Sequence, residues 1–161
     1  MGKENIDTAN RGDLQFAFPF SPNDKQFLRD NIFKALDAAP SKPIQSALCS
    51  AIYNMAQVDF PENWANSVTD MGERIKQSMA NEGILMSGLL ALRQVFQANE
   101  YAIDEERGPL NHLVEMFFPL LEQIMGDVSQ SQSPNQILIM HLIAKIFFSA
   151  NNVISQKCDR V

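Results

Sequence analysis

The chain has 161 residues, of which 45% are apolar; that is about one ordinary domain, too apolar for a disordered chain and long enough to bury a core without disulfides or metal. Thirteen Lys and Arg against nineteen Asp and Glu leave a net charge of −6, which excludes direct nucleic-acid binding through a basic face, since phosphate neutralisation needs clustered positive charge. Seven glycines are few for a turn-rich all-β protein. Cys49 and Cys158 lie far apart, and there is no Asn-x-Ser/Thr acceptor, no signal-peptide core and no apolar run long enough to span a bilayer. These features predict a soluble chain in a reducing, intracellular setting with no membrane partner.

Residues 1–20 read as an extended segment, with Arg11-Gly12-Asp13 as a loop signal and Phe16, Phe18 and Phe20 alternating at period two. Three such phenylalanines left exposed would be unusual on a monomer, so the segment is expected to lie across the first helical pair. Six helical patterns follow. The first opens at Ser21-Pro22-Asn23-Asp24, an N-cap serine, a proline in the first turn and an acid near the positive helix end. Its apolar stripe is Phe27, Leu28, Ile32, Ala35, Leu36 and Ala39, with Lys25, Arg29 and Lys34 predicted to face away. Pro40-Ser41 ends it and caps a second helix carrying Ile44, Leu48, Ala51, Ile52 and Met55. Asp59-Phe60-Pro61 breaks the chain before a third helix with Trp64, Val68, Met71, Ile75 and Met79.

Asn81 is a plausible cap for the fourth helix, which is apolar on nearly every side and so predicted to be packed between neighbours. The fifth runs from Leu110 to about Met125 with Pro119 inside it; because the apolar stripe continues through Leu120, Leu121 and Ile124, one kinked helix is the simpler expectation. Ser133-Pro134 opens the sixth, to about Ala150, again apolar on most sides.

Alternate helices start near Pro22, Pro61 and Pro109, spacings of about 40 and 47 residues that suit helix-pair repeats of the HEAT or armadillo type. The first helix of each pair is amphipathic and the second more uniformly apolar, as in a stack whose second helices form an inner layer. The expected fold is therefore all-α, a right-handed α-α superhelix of about three hairpins, with a closed six-helix bundle as the other possibility. The predicted division is 1–20 following a preceding repeat, then repeats at 21–58 and 59–103, then a repeat and tail at 104–161.

No constellation of catalytic groups is visible. His112, His141, Cys49 and Cys158 are too dispersed for a metal-ligand set, His112 reading as an exposed residue and His141 as a helix-packing one. Asp104-Glu105-Glu106 is a charge run in a polar connection, which usually means only solvation. Neither enzymatic activity nor a cofactor or metal is expected.

Longer strings carry more information. Phe18-Pro19-Phe20 precedes Asn23-Asp24-Lys25-Gln26 and Arg29-Asp30-Asn31-Ile32; Asp59-Phe60-Pro61 precedes Trp64; Leu89-Leu90-Ala91-Leu92 leads through Gln94 to Asn99-Glu100-Tyr101 and Glu105-Glu106-Arg107-Gly108-Pro109-Leu110; Lys145-Ile146-Phe147-Phe148 follows. In this order and spacing they resemble the amino-terminal region of importin-beta (karyopherin-beta) superfamily transport receptors, on the importin seven/eight branch, over nearly all of residues 16–150. The resemblance implies a HEAT-repeat solenoid covering about the second to fourth repeats of a several-fold longer receptor, with residues 3–6 ending a preceding repeat. It implies a non-enzymatic import receptor that shuttles between cytoplasm and nucleus, carries cargo, binds the small GTPase Ran and docks on Phe-Gly nucleoporins. The acidic balance suits basic cargo. An export receptor recycling importin-alpha is the near alternative, sharing the Phe-Pro-x-x-Trp junction, and a non-transport HEAT scaffold the more distant one.

The resemblance further implies that the second helices contact Ran. On the first of these, Gln45, Cys49 and Tyr53 form a row expected opposite Leu48, Ile52 and Met55; on the next, Arg93 and Gln97 form a long polar row continuing to Met86. These five residues are the candidate Ran contacts. Met71, Ile75 and Phe117, flanking the third helix, are weaker candidates for a nucleoporin groove, with core packing as the competing reading.

Overall fold

The computed structural model of the chain describes residues 20–100 and 107–158, and six helices account for most of them: α1 (Pro22–Asp37), α2 (Lys42–Asp59), α3 (Ala65–Gln77), α4 (Glu82–Ala98), α5 (Gly108–Ser129) and α6 (Gln136–Cys158). The caps do much of what local sequence chemistry requires. Ser21 and Asp24 form a reciprocal capping box on α1, the Asp24 amide donating to Ser21 Oγ at 3.1 Å and the Ser21 amide to the Asp24 carboxylate at 3.1 Å. The Ser21 hydroxyl, donating to Asp24 Oδ2 at 2.7 Å, and then the Ser21 amide hold the Asp24 carboxyl below its usual range. Asn81 caps α4 by accepting from the Ile84 amide. Ser41 occupies the cap position of α2 but makes no side-chain cap bond there, so Pro43 in the first turn carries that start. α5 runs unbroken through Pro119, and α6 reaches Cys158, which therefore lies in a helix and not in an irregular tail.

The helices pair as hairpins, α1 with α2, α3 with α4 and α5 with α6, and the hairpins stack in two layers. The most extensive contacts run along the inner layer, α2 on α4 and α4 on α6, while α1–α3 and α3–α5 touch more lightly in the outer layer. This is the all-helical, HEAT-type solenoid arrangement expected, with α4 at its centre. Leu85, Leu89, Leu92, Val95 and Phe96 of α4 are all fully buried against Ile52 of α2, Ile75 of α3, Phe117 of α5 and Ile143 of α6 in one continuous core. Two helical glycines permit the closest approaches. A Cβ on Gly88 would sit 2.8 Å from Ile75 Cγ1, and one on Gly72 would sit 3.1 Å from the Phe117 ring. An aromatic chain then links the last two hairpins, Phe96 stacked on Phe118 and Phe118 edge-on to Phe147 at 4.6 Å.

Polar contacts fix the junctions between hairpins. Arg29, predicted to face away, instead lies half-buried and grips the Asp59 carboxylate with two bonds, Nη2 at 2.6 Å and Nε at 3.2 Å. The hydrogen bonds to Asp59 raise the already high pKa of the guanidinium further. The Trp64 indole nitrogen donates to the Arg29 carbonyl at 3.4 Å, and its ring stacks on Phe33 at 5.3 Å. The Asp59-Phe60-Pro61-x-x-Trp64 string, whose Phe60–Pro61 peptide is cis, is thus the clasp where α2 turns into α3. A second junction centres on Asp37 at the end of α1, which pairs with Arg74 of α3 and accepts from Ser87 of α4. A third joins Glu82 of α4 to Asn135 at 2.9 Å; bonds from Ser133 and Asn135 lower the Glu82 pKa.

Three expectations about faces are corrected at the ends of the stack. On α1 only Ile32 and Leu36 are buried, whereas Phe27 is 68% exposed and Leu28, Ala35 and, on α2, Ile44 are also open. The inner and outer neighbours of this hairpin lie on one side, so half of its apolar stripe has none of the described helices against it. A groove of about 230 Å³ opens there between Phe20, Leu28, Met55 and Val58; the segment expected to cross it lies, apart from Phe20, outside the described residues. At the other end α6 is not enclosed: Ile137, Leu138 and Phe148 are exposed, and so is His141, expected to pack.

Candidate functional site

A binding residue must point where no other helix does, and α4 has little room for one. Helices α1, α2, α3 and α6 cover it through Leu85, Ser87, Leu89, Ala91, Leu92, Val95 and Phe96. The remaining arc holds Met86, Leu90, Arg93, Gln94 and Gln97, all half-buried and all on one side of the helix. The predicted Arg93–Gln97 row is therefore part of the one open strip of α4, and Met86 does continue it. Leu90 and Gln94, which the sequence reading did not single out, belong to the same strip.

On α2 the geometry differs from expectation. Gln45, Cys49 and Tyr53 are half-buried, but so are Leu48 and Met55, and the buried stripe between them is Ile52 and Ala56. The polar row flanks the stripe that seats on α4 and does not lie opposite it. That brings Cys49 close enough to Arg93 to feel its charge: burial pushes the Cys49 thiol up, and the Arg93 guanidinium partly offsets the rise. Tyr53 accepts a hydrogen bond at its hydroxyl from Gln57 Nε2 at 2.9 Å, which holds the ring on the α2 surface. Cys49, Arg93 and Gln97 thus form a connected surface across two inner helices.

The same surface continues onto α6. Arg93, Gln97 and Glu100 share a groove of about 270 Å³ with Lys145, Phe148 and Ser149. No salt bridge to Arg93 or Lys145 occurs among the described residues, although both are half-buried. The α6 contributors were missed because a lysine and a phenylalanine in Lys145-Ile146-Phe147-Phe148 read as helix core and flank; only the α4–α6 packing shows that both border the Arg93 strip.

Met71, Ile75 and Phe117 are 2%, 1% and 0% exposed. They are packed core and not the walls of an open slot, because α3 seats on α4 and α5 there and the Phe117 ring lies tight against Gly72. The space flanking α3 is instead a cleft of about 370 Å³ against α1, lined by Arg29, Asp30, Phe33, Lys34, Asp70 and Arg74, with Met71 alone of the three reaching its floor. Its charged walls do not suit a bare phenylalanine side chain. His112 is exposed, as expected. Among the described residues no group of His, Cys, Asp and Glu is placed to hold a metal ion, and no helix is long and apolar enough to cross a membrane.

No protein-family model and no solved structure matches the chain. Curated proteins do. The chain is 31% identical to Importin-8 of Mus musculus over 139 residues, which is 86% of this chain and 13% of that protein. It is 28% identical to Importin-8 of Danio rerio over 144 residues, 89% of this chain and 14% of that protein. It is 25% identical to a probable importin-7 homolog of Dictyostelium discoideum over 131 residues, 80% of this chain and 12% of that protein. The chain spans only about an eighth of the length of these relatives, but the similarity runs through nearly all of its own six helices. That similarity and the stacked helical hairpins support placing the chain in the importin-beta superfamily, on the importin seven/eight branch.

Proposed function

We propose that this chain forms part of a receptor for protein import into the nucleus, working by reversible protein binding and not by catalysis, and that its inner-helix face binds the GTP-bound form of Ran. The observation that carries the reading is the open strip of α4. On a helix otherwise sealed by four neighbours, Arg93 and Gln97 are left facing outward and are continuous with Cys49 of α2. Arginine suits such a position, because its planar donors stay charged and give directional bonds in the centre of an interface. Tyr53 and Gln45 extend the face along α2. The repeat division at 58/59 and 103/104 belongs to the same proposal, each repeat supplying one inner helix.

Cargo would bind elsewhere on a longer receptor, and the chain's net charge of −6 favours basic cargo at long range. Docking on Phe-Gly nucleoporins and shuttling between cytoplasm and nucleus belong to the same reading, with the nucleoporin groove placed outside the Met71–Ile75–Phe117 core. The test is GTP-dependent Ran binding by the full-length protein carrying Tyr53→Ala or Arg93→Glu. Loss of a central anchor is expected to cost about 2 kcal/mol of binding, roughly thirtyfold in affinity. Wild-type affinity in both variants would remove this face from the interface.

A further inference from the structure

Most of the described cations are either engaged, as Arg107 also is, or open to solvent. Arg29, Arg74 and Lys76 are paired with Asp59, Asp37 and Glu73, and Lys25, Lys34 and Lys42 are exposed to solvent that screens them. Arg93 and Lys145 fit neither description. Both are half-buried, neither makes a salt bridge among the described residues, and both line one groove between α4 and α6. Among the described residues one carboxylate, Glu100, lines the groove with them and is itself buried and already engaged, so the described lining carries two cations and one carboxylate on a chain whose net charge is −6. Partial desolvation of like charges that line one groove costs free energy that an anionic ligand would recover. The groove also has an apolar side. Phe148 borders it at 66% exposure, one helical turn from Lys145, an aromatic ring left largely uncovered by the described residues.

We infer that this groove seats an acidic, apolar-bearing segment of a partner protein: a carboxylate between Arg93 and Lys145, Gln97 supplying an amide, and a neighbouring aliphatic or aromatic side chain against Phe148. The inference rests on the inner-helix face being the binding face, and it adds to the Ran reading an α6 half and a definite ligand chemistry. A basic segment is excluded by the two cations, and a purely apolar one would leave them desolvated and unpaired.

The experiment uses the 161-residue chain and a fluorescent peptide of alternating glutamate and leucine, followed by anisotropy, with a lysine–leucine peptide as control. The glutamate peptide is expected to bind, to weaken at least tenfold in Lys145→Glu and in Phe148→Ala, and to lose affinity on raising salt; the lysine peptide is expected not to bind. Circular dichroism melts of both variants check that the fold is kept, as the positions' exposure predicts. Glutamate-peptide affinity unchanged in both variants, or equal binding of the lysine peptide, overturns the inference. Ran binding by the full-length Lys145→Glu variant, measured alongside, separates the two proposals: loss of peptide binding with Ran binding intact upholds the groove and assigns it to a different partner, while peptide binding unaffected by either variant defeats the groove whatever Ran does.

Discussion

Two regions of this molecule carry arginines of similar burial to opposite ends. At the α2–α3 clasp Arg29 spends its guanidinium on Asp59, its carbonyl on Trp64 and its neighbour Phe33 on the indole ring. On the inner face Arg93 is bordered by Gln97, Lys145 and Phe148 and has no carboxylate bonded to it among the described residues. The comparison teaches that in a stacked-hairpin protein the polar groups at the turns between repeats are consumed in setting the angle of one hairpin against the next. The inner helices, held mainly by apolar packing, spend polar groups near the start of α4, at Glu82 and Ser87, and keep Arg93 and Gln97 available for a partner.

The sharpest way to break that contrast is at the clasp. Trp64 is almost wholly buried, so Trp64→Ala leaves a large cavity between α1 and α3 and is expected to cost about 4 kcal/mol of stability, read as a lowered denaturant midpoint. A cost below about 1 kcal/mol would mean that the clasp does not hold the hairpins. Arg29→Ala leaves Asp59 with its charge-assisted bonds unmade in a site where its side chain is 16% exposed, and is expected to cost about 2 kcal/mol. Arg93→Ala, by contrast, is expected to change stability by less than about 0.5 kcal/mol, the usual range for a position with no bonded partner.

The smallest effect sharpens the other half. Burial raises the Cys49 pKa and Arg93 opposes the rise, so the thiolate fraction at pH 8 should fall when Arg93 is replaced by Ala. With Cys158→Ser as background, alkylation by iodoacetamide should slow in the Arg93→Ala variant and its pH profile shift upward. An unshifted profile would separate α2 from the Arg93 strip.

Much of this was legible in the sequence because helix ends are written locally. Ser21 with Asp24, Asn81 before its helix, and the prolines at positions 22, 61 and 109 marked starts and breaks that the structure keeps. The Arg93–Gln97 strip was legible too, since on a helix that is otherwise apolar a polar row at four-residue spacing can only face outward. What local spacing does not carry is which neighbour covers a face. Phe27 and Leu28 have the periodicity of core residues yet lie at an end of the stack, and Met71, Ile75 and Phe117 have the same periodicity and are sealed in its middle. Relations between distant positions were equally invisible: the Arg29–Asp59 pair and the groove that Lys145 shares with Arg93 are set by how α1 meets α2 and how α4 meets α6.

The central claim is that clasp and inner face do separate jobs, and one paired measurement tests it most directly. Thermal stability and affinity for GTP-bound Ran are measured on the full-length protein carrying Arg29→Ala and, separately, Arg93→Glu. The account predicts a crossover: Arg29→Ala lowers the melting temperature of this segment while the folded protein binds Ran within about twofold of wild type, and Arg93→Glu melts like wild type but binds roughly thirtyfold more weakly. Both variants losing stability and affinity together, or Arg93→Glu binding Ran normally, would contradict it.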